Sequence, residues 1–232
     1  MQYYKIAGLT VAMDSFGRSV TQAQPYSIPA CETPDITIRT GGGEILHKQH
    51  PNLSLEDCEY LATGSSFYRQ LLNFDGMLLH ASAVVMDGKA YLFSAPCGTG
   101  KSTHTALWQK VFGKDRVQIL NDDKPALRLI DGTFFACGTP WSGKHDISIN
   151  GIFPLAGICV LRRGEVNTIA RIAPGDAIFS IADQTFRPGN AALMDKMLTL
   201  LDQLLNQVPV WQLECNMNPE AAQVAHDAMS AV

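Results

Sequence analysis

Apolar and polar positions alternate in short runs over the first part of the chain. From Tyr3 to about Ile38 the pattern is strand-like, interrupted by Gly17, Pro25, Pro29 and Pro34, and Gly41, Gly42 and Gly43 then end it. Residues 1–53 are therefore expected to form a small β-rich accessory region. The period changes at Ser54. A serine there can accept an early helix amide while Asp57 reaches back, and Leu55 to Leu72 carries the apolar rhythm of one helix face. This helix is expected to link the accessory region to a main domain over residues 54–232.

Two apolar runs follow, Met77 to Met86 and Lys89 to Ser94, joined by Asp87-Gly88, a pair suited to the positive φ of a hairpin turn. The second run leads into glycine-rich sequence. Thr103 to Phe112 reads as a helix closed near Gly113, and Val117 to Leu120 as a buried strand ending at Asn121-Asp122-Asp123. A further hairpin is expected from Pro125–Ile130 and Thr133–Cys137 about Asp131-Gly132, and Leu155–Leu161 reads as another core strand. Ala191 to Leu205 places Leu193, Met197, Leu200, Leu201 and Leu204 on one helical face, with the methionines as core filler. Asn218-Pro219-Glu220 resembles an N-cap with proline at the first helical position, ahead of Ala221–Met229. The expected fold class is α/β, a mixed β core with flanking helices.

The segment Ala95-Pro96-Cys97-Gly98-Thr99-Gly100-Lys101-Ser102 follows a strand and opens a helix. It matches a phosphate loop except that Ala95 stands at the first glycine position. A phosphate requires converging amides, small residues that let the backbone wrap it, and a helix N-terminus aimed at it. Lys101 would reach the β- and γ-phosphates and Ser102 would ligate Mg²⁺, which makes ATP with Mg²⁺ the expected ligand. Thr103 lies at the same helix start. Alanine at position 95 is tolerable where φ is negative and strained where it is positive.

Asp122 and Asp123 end a run of apolar residues, where a parallel strand would lie beside the phosphate loop. One could hold Mg²⁺ through water while the other activates a hydroxyl; the bland alternative is a turn before Pro125, with Lys124 as neutralising cation. His80, inside Leu78-Leu79-His80-Ala81-Ser82, reads either as a satisfied core group or as a catalytic partner that strand pairing carries to the loop. His104 suits packing or local support. Gly138 to Asp146, with Trp141 and Lys144, reads as a lid over a substrate or as a surface loop, and Arg162 or Arg163 as a triphosphate contact or a solvent-facing charge.

Composition narrows the partners. Lys+Arg 18 against Asp+Glu 22, a net charge of -4, lacks the basic footprint of a nucleic-acid binder. No run of 18 apolar residues and no basic leader is present, so neither a membrane partner nor secretion is expected, and a cytoplasmic location is. The six cysteines include no C-x-x-C pair and are expected as free thiols, with Cys97 either a loop filler or an oxidisable group.

His80 in Leu79-His80-Ala81-Ser82, then Gly98-Thr99-Gly100-Lys101-Ser102, then Asn121-Asp122-Asp123 resemble, in order and spacing, the C-terminal domain of HPr kinase/phosphorylase within the phosphoenolpyruvate carboxykinase-like P-loop superfamily. The likeness runs from about Gly76 to Leu161 and is weaker beyond. It implies a histidine on the strand before the loop, an acidic pair on the strand after it, and a mixed β core; Mg²⁺ coordination and general-base chemistry fall to Asp122 and Asp123 without a division between them. The downstream signature of the bifunctional enzymes is missing. The chain looks more like small HPr-kinase-like proteins found near peptide-modification genes. Two functions are thus expected to compete: a phosphotransferase acting on a hydroxyl of a small molecule or peptide, and a non-catalytic ATP-dependent binding or peptide-maturation module. A homo-oligomer is compatible with either.

Overall fold

A computed structural model of the chain describes residues 1–231, so Val232, the last residue of the expected 54–232 domain, lies outside the described residues. At the N-terminus, β1 (Gln2–Ile6) and β2 (Leu9–Met13) form a hairpin; α1 (Arg18–Ala23), β3 (Ser27–Ile28), β4 (Ile36–Ile38) and α2 (Gly42–Gln49) follow. The strands form a sheet in the order β3-β1-β2-β4, with β4 parallel to β2. The two short helices depart from the strand-only pattern read from the sequence. The strand pattern does end before Gly41–Gly43, at Ile38; Gly41 is the N-cap of α2, and Gly42 and Gly43 are its first residues. Gly43 lies so close to the next helix that a Cβ would stand 2.7 Å from the Glu59 Cα. Close helix approach, not turn formation, explains that glycine.

The helix from Ser54 forms as expected. In α3 (Leu55–Leu71) the Ser54 hydroxyl oxygen accepts the Asp57 amide at 3.0 Å. Its face, with Tyr60, Phe67, Tyr68 and Leu71, shares a buried cluster with Tyr4, Ile6 and Val11 of the first sheet and with Cys137 and Trp141 further on.

The second sheet contains β5 (Gly76–Leu78), β6 (Ala81–Met86), β7 (Lys89–Ser94), β8 (Val117–Asn121), β9 (Ala126–Ile130), β10 (Thr133–Cys137), β11 (Ile152–Arg163), β12 (Thr168–Ile172) and β13 (Val210–Cys215). Its order is β5-β9-β10-β11-β7-β6-β8, and β13 pairs with both β11 and β12. The hairpins at Asp87-Gly88 and Asp131-Gly132 form with positive φ at all four residues. The run Met77–Met86 is not one strand. It breaks at Leu79-His80, because β5 pairs with β9 while Leu79 bridges Thr185 and the His80 amide donates to the Gln184 carbonyl.

Helices cover both faces of this sheet: α4 (Lys101–Phe112), α5 (Pro174–Ala182), α6 (Ala191–Gln207) and α7 (Glu220–Ser230). The alternation in β6 and β7 sorts the side chains. Ala83, Val85, Ala90 and Leu92 join α5 and α6, whereas Val84, Met86, Tyr91 and Phe93 join α4 and α7 around Trp108. The α7 start differs from expectation: Pro219 is the N-cap and Asn218 makes no side-chain cap, its backbone carbonyl taking the Ala221 amide instead. No described helix is long and apolar enough to cross a membrane.

Candidate functional site

The architecture brings three strand ends to one place. β7 and β11 run parallel, and β6 lies antiparallel between β7 and β8, so the start of β6 meets the ends of β7 and β8. His80 precedes β6, Ala95 follows β7 and Asp122 follows β8. The parallel neighbour expected for the acidic strand is therefore corrected: β8 pairs antiparallel with β6, yet the intervening strand preserves the common direction of β7 and β8. Ligands in α/β sheets commonly lie outside such carboxyl ends.

From Ala95 to Gly100 the chain turns into α4. Ala95 is buried and is not among the residues of positive φ, so this position does not require glycine. Gly98 and Gly100 do, at φ 79° and 124°. Pro96, Cys97, Ser102 and Thr103 are exposed, Thr99 is partly so, and Lys101 is buried with its Nζ donating to the Ala95 carbonyl at 2.9 Å. Burial lowers the Lys101 pKa, while the charges of Asp123 and Cys97 oppose that shift. All six cysteines are free thiols, and Cys97 is the exposed one among them.

The acidic turn is held by Asn121. Its buried side-chain nitrogen donates to the carbonyls of Thr139 and Trp141 at 3.1 Å, and its side-chain oxygen accepts the amides of Asp123 and Lys124 at 3.0 and 2.7 Å. The two carboxylates then face different partners. Asp123 Oδ1 lies 3.0 Å from His80 Nε2, and its Oδ2 accepts from Lys124 Nζ at 2.5 Å. Burial alone would raise the Asp123 pKa, but the hydrogen bond from His80 and the Lys124 charge outweigh it and hold the carboxyl well below the usual range. Asp122 goes the other way. Burial raises its pKa, against the pull of the Gly143 amide, which donates to Oδ1 at 2.7 Å. Oδ2 has no hydrogen-bond partner among the described residues, and a Cβ at Gly143 would stand 3.0 Å from it.

His80, Lys101, Ser102, Asp122, Asp123 and Lys144 line one cavity of about 460 Å³, together with loop residues Cys97, Gly98 and Gly100 and with Thr103. His80 is thus at the cavity instead of in a closed core. Its Nδ1 lies 2.7 Å from Gln184 Oε1. No sequence signal marks Gln184, which arrives through the Leu79–Thr185 bridge more than a hundred residues away. Arg162 and Arg163 both line two neighbouring cavities, and Arg163 is the one that grips the loop, donating from Nε to Thr99 O at 3.3 Å and from Nη2 to Gly98 O.

The expected lid divides. Trp141 does not cover the cavity; it is buried, stacked on Phe67 at 4.8 Å, and donates to Thr63 Oγ1. Lys144 and His145, on the same segment, do line the acidic cavity.

His104 is packed as expected, 2% exposed against Phe93, with Nε2 accepting from Trp108 Nε1 at 3.2 Å. Because that nitrogen is an acceptor, the proton of the neutral ring is on Nδ1, which has no partner among the described residues. Burial lowers the pKa from 6.5 to about 4. The unfolded chain takes up this proton as pH falls through the ordinary value and the folded chain does not. The stability linked to His104 is therefore full above pH 6.5 and is lost as pH falls to about 4, by about 3 kcal/mol. His104→Phe is expected to flatten the stability profile in that window, measured by urea unfolding at successive pH values; an unchanged slope would count against a neutral buried imidazole.

The fold and site together define a mixed α/β protein with a glycine-rich strand-to-helix loop facing an acidic pair. Among solved structures the chain is similar to the HPr(Ser) kinase/phosphatase from Coxiella burnetii, with a TM-score of 0.39 and 12% identity, over 66% of this chain and 97% of that one. No protein-family model and no curated protein sequence matches the chain.

Proposed function

We propose that the Ala95–Ser102 loop binds the triphosphate of ATP with Mg²⁺ and that the protein transfers the γ-phosphoryl group to a hydroxyl of a small molecule or peptide. One observation carries this reading: Lys101, Ser102 and the glycines of the loop share a cavity with His80, Asp122 and Asp123. Phosphoryl transfer needs charge neutralisation at the phosphates and a positioned acceptor, and this set has groups for both.

Lys101, now on the Ala95 carbonyl, would turn to the β- and γ-phosphates. Among the described residues no group of three or more His, Cys, Asp or Glu side chains forms a metal cage. A Mg²⁺ ion does not need one, since it keeps waters and binds phosphate oxygens with one or two protein ligands. The exposed Ser102 hydroxyl and the anionic Asp123, through water, fit that role. Mg²⁺ offsets charge on the β- and γ-phosphate oxygens when bound.

Asp122 is the better base. Its raised pKa makes it a stronger proton acceptor than Asp123, and the Gly143 amide fixes one oxygen while leaving the other for the acceptor hydroxyl. The hydroxyl proton passes to Asp122, the oxygen bonds to the γ-phosphorus, and the bond to the leaving ADP oxygen breaks. His80 holds Asp123 in place through Nε2. The test is incubation of the purified protein with γ-labelled ATP, Mg²⁺ and pools of hydroxyl metabolites and peptides. Label on an acceptor is expected. Tight Mg-ATP binding with no transfer would support the binding or maturation module instead, and failure to bind ATP would reject both.

A further inference from the structure

Gly143, whose amide fixes one oxygen of Asp122, stands at the head of a turn. The Asp146 amide donates to the Gly143 carbonyl at 3.2 Å, and Asp146 itself has a φ of 53°. Between them the turn carries Lys144 and His145 to the acidic cavity. Gly143 comes so close to the acidic pair that a Cβ would stand 3.0 Å from Asp122 Oδ2 and 3.2 Å from the Asp123 Cβ. A small shift of this turn therefore changes what Asp122 meets.

The group that holds the turn comes from the N-terminal region. Arg18, the first residue of α1, uses all three guanidinium nitrogens. Nε and Nη2 donate to Asp146 Oδ1 at 3.2 and 2.6 Å, Nη2 also donates to the Gly143 carbonyl at 3.2 Å, and Nη1 donates to Asp57 Oδ1 at 3.2 Å. The guanidinium carbon lies 4.2 Å from the centre of the Tyr60 ring. The Tyr60 hydroxyl in turn accepts the Ser142 amide at 2.6 Å and donates to the Pro140 carbonyl at 3.0 Å. A single surface ion pair contributes little, because its two long side chains have many geometries. A planar fork seated on two carboxylates, a carbonyl and an aromatic face has few.

Resting on the proposed phosphotransfer, we propose that Arg18 is a positioning residue for the acidic site. It clamps the Gly143–Asp146 turn, so that the Gly143 amide stays on Asp122 and Lys144 and His145 stay at the cavity. Arg18 does not line the cavity itself and acts only through the turn. The accessory region thereby completes a site whose other parts all belong to the main domain.

The test uses Arg18→Gln, Asp146→Asn and the double variant, each checked by thermal melt and assayed where it is folded. Asparagine tolerates the left-handed conformation of position 146. Hydrogen exchange followed by NMR reads the clamp without any acceptor: the Gly143 and Asp146 amides should exchange roughly tenfold faster in each single variant. Transfer of label from saturating γ-labelled Mg-ATP to pooled hydroxyl metabolites and peptides should slow by roughly 10–100-fold in Arg18→Gln, with calorimetric Mg-ATP affinity within a few-fold of wild type. The double variant should transfer no more slowly than Arg18→Gln alone, since Asp146 acts through Arg18. Unaltered exchange of the two amides, or losses that add, would overturn the clamp. Faster exchange with normal transfer, or a slower transfer fully explained by weaker Mg-ATP binding, would overturn its role at the acidic site. A wild type that transfers no label would reject the phosphotransferase reading, and Arg18's part in it, while the exchange rates still show whether the arginine holds the turn.

Discussion

Asp122→Asn is expected to lower phosphoryl transfer by roughly 10²–10⁴-fold while leaving Mg-ATP affinity within a few-fold of wild type. The substitution keeps the side-chain size and an oxygen for the Gly143 amide, which donates to Asp122 at 2.7 Å, but removes the proton acceptor. Asp123→Asn should behave differently. It breaks the contacts to His80 and Lys124, so its defect should fall on Mg-nucleotide binding and on stability, the latter by about 2 kcal/mol at neutral pH.

That stability difference has a defined pH dependence. The folded Asp123 carboxyl titrates below its unfolded value, so its contribution is present above the ordinary carboxylate range and disappears as pH falls through the lower folded value. Wild type and Asp123→Asn should therefore converge in acid. Transfer rates, calorimetric binding and urea melts on both variants separate the roles. Normal transfer by a folded Asp122→Asn would reject Asp122 as base, and identical defects in both would reject the division of labour. The acid limb of the wild-type pH–rate profile belongs to the pair of carboxylates together, not to either alone.

Lys101→Ala should weaken ATP binding by roughly 10–100-fold and ADP binding by less, because an ammonium at the terminal phosphates makes charge-assisted hydrogen bonds that the diphosphate lacks in part. The same side chain now donates to the Ala95 carbonyl, so its removal also takes a brace from the loop. Lys101→Met keeps most of the buried stem and separates the two effects: a loss confined to Lys101→Ala would assign the defect to packing. Equal losses for ATP and ADP in both variants would remove Lys101 from the γ-phosphate. Circular dichroism on each variant checks that the fold survives.

Local chemistry made much of the scaffold readable. Ser54 with Asp57 started α3, Asp87-Gly88 and Asp131-Gly132 closed their hairpins, and the glycine-rich stretch after an apolar run marked the turn into α4. These signals depend on capping, positive φ and side-chain period, all properties of neighbours in sequence. The grouping of His80 with the loop and the acidic pair came instead from the family resemblance of their order and spacing.

β12, which is mostly exposed, and α5, whose apolar face at Ala177, Ile178, Ile181 and Ala182 spans only two turns, were not read from the sequence. Gly41–Gly43 do follow the last strand of the first region, but the helix that they begin was not read, and the demand on Gly43 comes from Glu59, on another helix. Trp141, read as a lid, belongs to the core because Phe67 and Thr63 meet it there.

By itself the sequence determined the loop, its helix, the hairpins and the residue types of the acidic pair, since each is specified by contacts within a few positions. Only the tertiary structure decided that Asp123 is held by His80 while Asp122 keeps an open oxygen, that Gln184 abuts His80, and that Arg163 holds the loop. The physical reason is that a side chain's protonation and reach depend on burial and on partners brought in by strand pairing, and those partners lie tens to more than a hundred residues apart in the chain.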